Sequence, residues 1–221
     1  MTGRRLTLPL PILMLVTDSR RRHGREADQC ASIANIVREA ALGGVHAVQL
    51  REKHLSSSEL IDLGARLRDA IGDRALLFVN GDVDAAMALG ADGIHLPASG
   101  PTVADARARA GGDVLISVAV HDLRSAQRAE RDGADLVVLG TIFATPSKAG
   151  RATIGVDGVR EVCAAVRLPV IAIGGITAEN AAEVMRAGAS GVAVIGAIFD
   201  ASDARAAAVA LRAAIDGAVS T

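Results

Sequence analysis

Aromatic residues are almost missing from this chain. Its 221 residues contain no tryptophan and no tyrosine, and the three phenylalanines are Phe78, Phe143 and Phe199. So few rings leave no platform for stacking bases, and a formal net charge of −1 supplies no general basic field. Nucleic acid is therefore not expected as a partner. Long apolar runs are also lacking, so no segment is expected to span a membrane. The opening MTGRRLTLPLPILMLV has the two arginines and apolar stretch of a signal peptide. Prolines interrupt it, however, and no small-residue cleavage site follows. Cysteine is scarce: Cys30 and Cys163 share no metal-like spacing and read as reduced thiols of a cytoplasmic protein.

What remains is aliphatic. Hydrophobic residues make up 50% of the chain, and a core of Ala, Val, Leu and Ile suits a parallel sheet buried on both faces. Short apolar runs alternate with helical patterns throughout. The strands expected are Leu13 to Val16, Val45 to Leu50, Leu76 to Val79, Gly93 to Leu96, Val114 to Val120, Leu136 to Gly140, Val170 to Ile173 and Gly191 to Ile195. Helices are expected after each, closing with Ala204 to Ile215. Eight strand–helix units predict a single-domain α/β fold over 1–221, a (β/α)₈ TIM barrel. An open doubly wound sheet is the alternative, but its glycine fingerprint follows the first strand, whereas the glycine-rich turns here come late.

Those late turns are the main chemical signal. Gly174-Gly175 and Gly196 each follow a strand one βα unit apart. Glycines there let backbone N–H groups close around an anion, and loops after strands seven and eight of a barrel often hold phosphate. Gly174, Gly175, Ile195, Gly196 and Ala197 are thus read as a phosphate cup; the competing reading is that the glycines only permit tight turns. Arg51 and Lys53, with Gln49, end strand two and offer a cationic clamp, unless Glu52 and other carboxylates merely neutralise them. His121 stands at the step from strand five into its helix, where an imidazole suits proton transfer near neutral pH. His95 lies within a strand and reads as a hydrogen-bonded barrel residue. The loop after strand six, TIFATPSKAGRATIG with Thr145, Ser147, Lys148 and Arg151, is a candidate lid. The run Arg20 to Glu26 reads first as a solvated loop; because it follows a strand it lies on the catalytic rim, and the alternative is that it folds over an anionic ligand.

Taken in order, LMLVTD (13–18), VQLREK (48–53), NGDVD (80–84), ADGIHL (91–96), SVAVHDL (117–123), LGTIFATPSK (139–148), VIAIGGIT and GVAVIGAI resemble the thiamine phosphate synthase superfamily over nearly the whole chain. The resemblance implies a barrel and a homodimer or higher homo-oligomer. Its synthase branch joins a pyrimidine pyrophosphate to a thiazole phosphate, using Mg²⁺ held by an aspartate after Asn in the third loop and another in the fourth. Here those stretches read Asn80-Gly81 and Pro97 to Gly100, without either carboxylate. The thiazole tautomerase branch needs no metal and shares the Asn-Gly and Leu-Pro patterns. The resemblance therefore implies a metal-independent tautomerase that aromatises a carboxythiazole phosphate. His121 would move the proton, and Gln49, Arg51, Lys53, Asn80, Thr145, Ser147, Lys148 and the cup would hold substrate, with no cofactor. The synthase, with Mg²⁺, is the alternative; a non-catalytic or regulatory phosphate-metabolite binder is the second.

Overall fold

The structure is a computed structural model. It describes residues 8–21, 26–145 and 152–219, with residues 26–31 described by backbone alone. Eight parallel strands close into a barrel in sequence order: β1 (Ile12–Val16), β2 (Ala47–Leu50), β3 (Leu76–Asn80), β4 (Gly93–Leu96), β5 (Leu115–Val120), β6 (Leu136–Gly140), β7 (Val170–Ile173) and β8 (Gly191–Val194). Register runs continuously around the ring, and Ile12 to Leu15 of β1 pair with Gly191 to Val194 of β8. The fold is the expected (β/α)₈ barrel.

The helices are α1 (Glu26–Leu42), α2 (Ser57–Ile71), α3 (Val83–Ala88), α4 (Val103–Ala110), α5 (Leu123–Arg131), α6 (Gly155–Ala165), α7 (Ala181–Arg186), α8 (Gly196–Phe199) and α9 (Ala204–Val219). Side-chain oxygens start several of them. Ser56 and Glu59 form a capping box on α2, Asp82 caps α3, Thr102 caps α4 and Asp122 caps α5. Each satisfies amides that a first helical turn leaves without partners. The helix after β7 begins only at Ala181, because Asn180 holds the preceding turn: its Oδ1 accepts from Thr177 N–H at 2.9 Å and its Nδ2 donates to Gly175 O at 3.0 Å. Four-residue α8 was not foreseen, since GAIF is too short to show a period. Among the described residues, no helix is long and apolar enough to cross a membrane.

Two cores follow from the alternation along each strand. Leu13, Leu15, Val48, Leu50, Leu77 and their like face outward and pack beneath the helices. Ile12, Met14, Val16, Ala47, Phe78, Leu115, Leu136, Val138, Ile171 and Ala193 fill the barrel. Phe78 fits there because β4 offers a glycine opposite it: a Cβ on Gly93 would lie 2.1 Å from the Phe78 ring. Above this plug the inward positions change character. Gln49, Asn80, His95 and Ser117 on β2 to β5 are polar, while Ile173 and Ile195, from β7 and just after β8, remain apolar. The plug seals the bottom, so the site lies at the C-terminal mouth.

Candidate functional site

The mouth holds two adjoining cavities. The larger, about 830 Å³, lies over β1 to β6 and is lined by Arg20, Gln49, Arg51, Lys53, Asn80 and His121 among others. The smaller, about 350 Å³, lies over β6 to β8 and includes Thr145, Gly174, Gly175, Gly196 and Ala197. Ile173 and Ile195 line both, forming the ridge between them.

The cationic clamp is built by bolting the β2 loop to the β1 loop. Arg51 N–H donates to Thr17 Oγ1 at 2.9 Å. Buried Glu52 accepts from Ser19 N–H at 3.1 and 3.0 Å through its two oxygens, and from the Ser19 hydroxyl at 2.6 Å. Glu52 is thus spent as a structural acceptor. Arg51 and Lys53 have no ion-pair partner among the described residues, so the reading in which Glu52 neutralises them fails. Their charge faces the larger cavity, as suits an anionic ligand.

Beside them, Gln49 Nε2 donates to Asn80 Oδ1 at 3.4 Å, which orients both amides. His95 is the hydrogen-bonded barrel residue expected, with Nδ1 2.8 Å from Ser117 Oγ. Burial, helped by the charge of Arg51, lowers its pKa to about 4, so it is neutral at neutral pH. His121 Nδ1–H donates to the Gly140 carbonyl at 2.5 Å. That bond fixes the ring and leaves Nε2 free of it at the edge of the larger cavity.

The carboxylates present do not fit a two-aspartate Mg²⁺ site. Mg²⁺ requires near-octahedral oxygen ligation, commonly from one or two carboxylates plus phosphate oxygens. Gly81 and Gly100 stand where the resemblance places aspartates. Neighbouring Asp82 is committed elsewhere, with Oδ1 accepting from Ala85 N–H at 2.9 Å and Oδ2 from the Ser57 hydroxyl at 2.6 Å. Burial disfavours its charge, but these hydrogen bonds prevail and hold its pKa below the usual range. Glu52 is bound to Ser19, and Asp18 Oδ2 lies 3.6 Å from Arg21 Nε. No group of three or more His, Cys, Asp or Glu side chains suited to a metal occurs among the described residues.

The cup depends on backbone. Gly174 and Gly175 have φ of 110° and 66°, and a Cβ on either would strike Thr141 or Ala144 at 2.5 or 2.8 Å. Glycine is therefore required at both, for conformation and for space. The amides of Gly196 and Ala197 open α8, where a helix has no internal acceptor to offer. Arg21 and Asp200 also line the cup, and neither was assigned to it from sequence. Arg21 belongs to the run read as a solvated loop; Asp200 lies 179 positions away and carries no motif. Ser147, Lys148 and Arg151 fall outside the described residues, as do the later members of the Arg20 run.

The barrel mouth thus carries a cationic cavity over β1 to β6 and a glycine-walled cavity over β6 to β8, divided by an apolar ridge. The family model described as thiamine monophosphate synthase matches residues 13–198, and the chain belongs to that family. It is 43% identical over 205 residues to a thiamine-phosphate synthase of Chloroflexus aurantiacus, covering 92% of each chain. It is 43% identical over 179 residues to one of Moorella thermoacetica, covering 80% of this chain and 85% of that one. In solved structures it resembles a thiamine phosphate pyrophosphorylase from Pyrococcus furiosus at TM-score 0.83 and 34% identity, covering 94% and 96% of the two chains.

These likenesses overturn the expected thiazole tautomerase. Near-full-length relatives at about this identity carry the synthase name, and none of these likenesses points to the isomerase branch. Two carboxylates are side chains that the mouth can lack with the barrel intact, so their absence does not by itself mark a different reaction. The proton-shuttle role of His121 rested on the tautomerase reaction.

Proposed function

We propose that the chain is a transferase of thiamine biosynthesis, a thiamine-phosphate synthase that joins a pyrimidine pyrophosphate to a thiazole phosphate. The observation that carries this is the pair of cavities on one mouth. The larger, cationic one suits the pyrophosphate, gripped by Arg51 and Lys53 with Asn80 beside them. The smaller suits the thiazole phosphate, held by the amides of Gly174, Gly175, Gly196 and Ala197 with Thr145. Ile173 and Ile195 between them give an apolar bed for the two heterocycles. Bringing both reactants to one place removes much of the entropic cost of their encounter.

The bond between the pyrimidine methylene carbon and its pyrophosphate oxygen breaks, and pyrophosphate leaves with the electron pair. A ring nitrogen of the thiazole supplies the new pair. Charge grows on the departing pyrophosphate, so Arg51 and Lys53 bind it more strongly as the bond breaks, which is the differential binding that speeds a reaction. His121, fixed through Nδ1, presents Nε2 to the same cavity as a further hydrogen-bonding group. No step here is assigned to Mg²⁺, because the carboxylates present do not fit it. The test is a coupling assay with both substrates. Thiamine phosphate and pyrophosphate formed in equal amounts support the reading; no coupling, with or without Mg²⁺, refutes it.

A further inference from the structure

Arg21 sits at the cup in an arrangement that a solvated loop does not explain. Its Nη1 is ion-paired with Asp200 Oδ2, and its Nε lies 3.6 Å from Asp18 Oδ2. Nε is nonetheless buried with no hydrogen-bond partner. A buried donor on a cation, left without an acceptor, is costly and uncommon. The guanidinium also rests against the glycine that opens α8. A Cβ on Gly196 would come 2.9 Å from Arg21 Nη1 and 2.6 Å from Asp200 Oδ2. The smaller cavity is lined by all three residues.

Two carboxylates therefore hold one guanidinium at the wall of a cavity that otherwise offers backbone N–H groups. Asp200 is half exposed, its side chain at 53%, whereas that of Arg21 is at 23%. Of the pair, Asp200 is the partner that water can take over. Resting on the proposed synthase reading, we infer that Arg21 is a phosphate-binding residue of the cup and that Asp200 is its stand-in anion. On entry of a phosphate monoester, Nη1 exchanges Asp200 for a phosphate oxygen and the unpartnered Nε gains an acceptor. Asp200 turns to solvent. A planar guanidinium presents two such donors side by side, the arrangement that suits phosphate. The exchange makes Asp200 a competitor of the ligand, so the cup favours a dianion over weaker anions that cannot displace a carboxylate.

Titration of the purified full chain with inorganic phosphate by calorimetry tests this without requiring turnover. Arg21→Ala weakens phosphate binding about tenfold or more, and Arg21→Lys recovers only part of it. Asp200→Asn tightens binding several-fold, because the competing carboxylate is gone. Tightening in Asp200→Asn is an outcome that a merely structural ion pair does not produce. Equal weakening in Arg21→Ala and Asp200→Asn, or unchanged phosphate affinity in Arg21→Ala, overturns the inference. If Arg21→Ala does not fold, Asp200→Asn alone decides. The inference and the synthase reading fail separately: loss of coupling activity in the native chain removes the reading, while the phosphate titration still judges Arg21.

Discussion

The two halves of the barrel mouth are built from different materials. Over β2 to β5 the lining is side chains: Arg51, whose backbone N–H is bonded to Thr17, Lys53, Asn80 beside Gln49, and His121 on the Gly140 carbonyl. Over β7 and β8 the lining is backbone, with glycines whose φ and surroundings admit nothing larger. The contrast shows what each half can lose. The side-chain half has glycine at the two positions where the resemblance places metal-binding aspartates, and the fold stands unchanged. The backbone half has no such latitude, because the groups proposed to bind there are the backbone itself.

Breaking the backbone half has the largest effect. Gly175→Ala forces a side chain into a left-handed backbone position 2.8 Å from Ala144 O and Phe143 Cβ. Stability falls by about 2–4 kcal/mol in urea denaturation. KM for the thiazole phosphate rises about 100-fold as the cup shifts. Arg51→Ala acts on the other half. It raises KM for the pyrimidine pyrophosphate about 10–100-fold, the worth of charge-assisted hydrogen bonds, and leaves KM for the thiazole phosphate within about twofold. Steady-state kinetics with each substrate varied in turn checks both variants, and equal effects on the two KM values in either would merge the halves into one site.

His95 sets a pH dependence in the side-chain half. Its pKa falls from 6.5 to about 4 on folding, so between these values the unfolded chain binds a proton that the folded chain refuses. The stabilisation is present in full above pH 6.5 and is lost as pH falls toward 4, by about 3 kcal/mol. Urea denaturation across this range checks it. In His95→Asn that part of the slope disappears; an unchanged slope would show that His95 is not its source. The smallest effect sharpens the comparison. Gly81 has φ of 79°, and a Cβ there meets only Pro97, at 3.7 Å. Gly81→Asp costs about 1 kcal/mol of backbone strain and adds a carboxylate beside Asn80. In that variant Mg²⁺ tightens pyrophosphate binding several-fold more than in the native chain, measured by titration with and without EDTA.

Much of this was legible in the sequence, for physical reasons that differ between parts. Strand positions showed because a barrel strand buried on both faces must be a short apolar run, and the ends were set within one or two residues. The glycine turns after β7 and β8 showed because paired glycines past a strand stand out in an otherwise aliphatic run, and the structure gives Gly174 and Gly175 positive φ. Phe78 against Gly93 did not show, since strand neighbours 15 positions apart leave no local pattern. Arg21 and Asp200 did not show either: their meeting depends on the closure of β1 against β8. The role of Glu52 was hidden for a similar reason. A carboxylate between two cations reads as their partner, yet the β1 loop supplies Ser19 and takes it away. The two missing aspartates point toward the tautomerase branch, whereas near-full-length relatives carry the synthase name.

On the proposed synthase reading the mouth holds two anions at once, one in each half. Thiazole phosphate titrated by calorimetry into protein already saturated with inorganic pyrophosphate tests it most directly. Separate sites predict one equivalent bound, with an affinity within about threefold of that measured without pyrophosphate. Mutual exclusion, with thiazole phosphate affinity falling in proportion to added pyrophosphate, would mean a single anion site and would contradict the account.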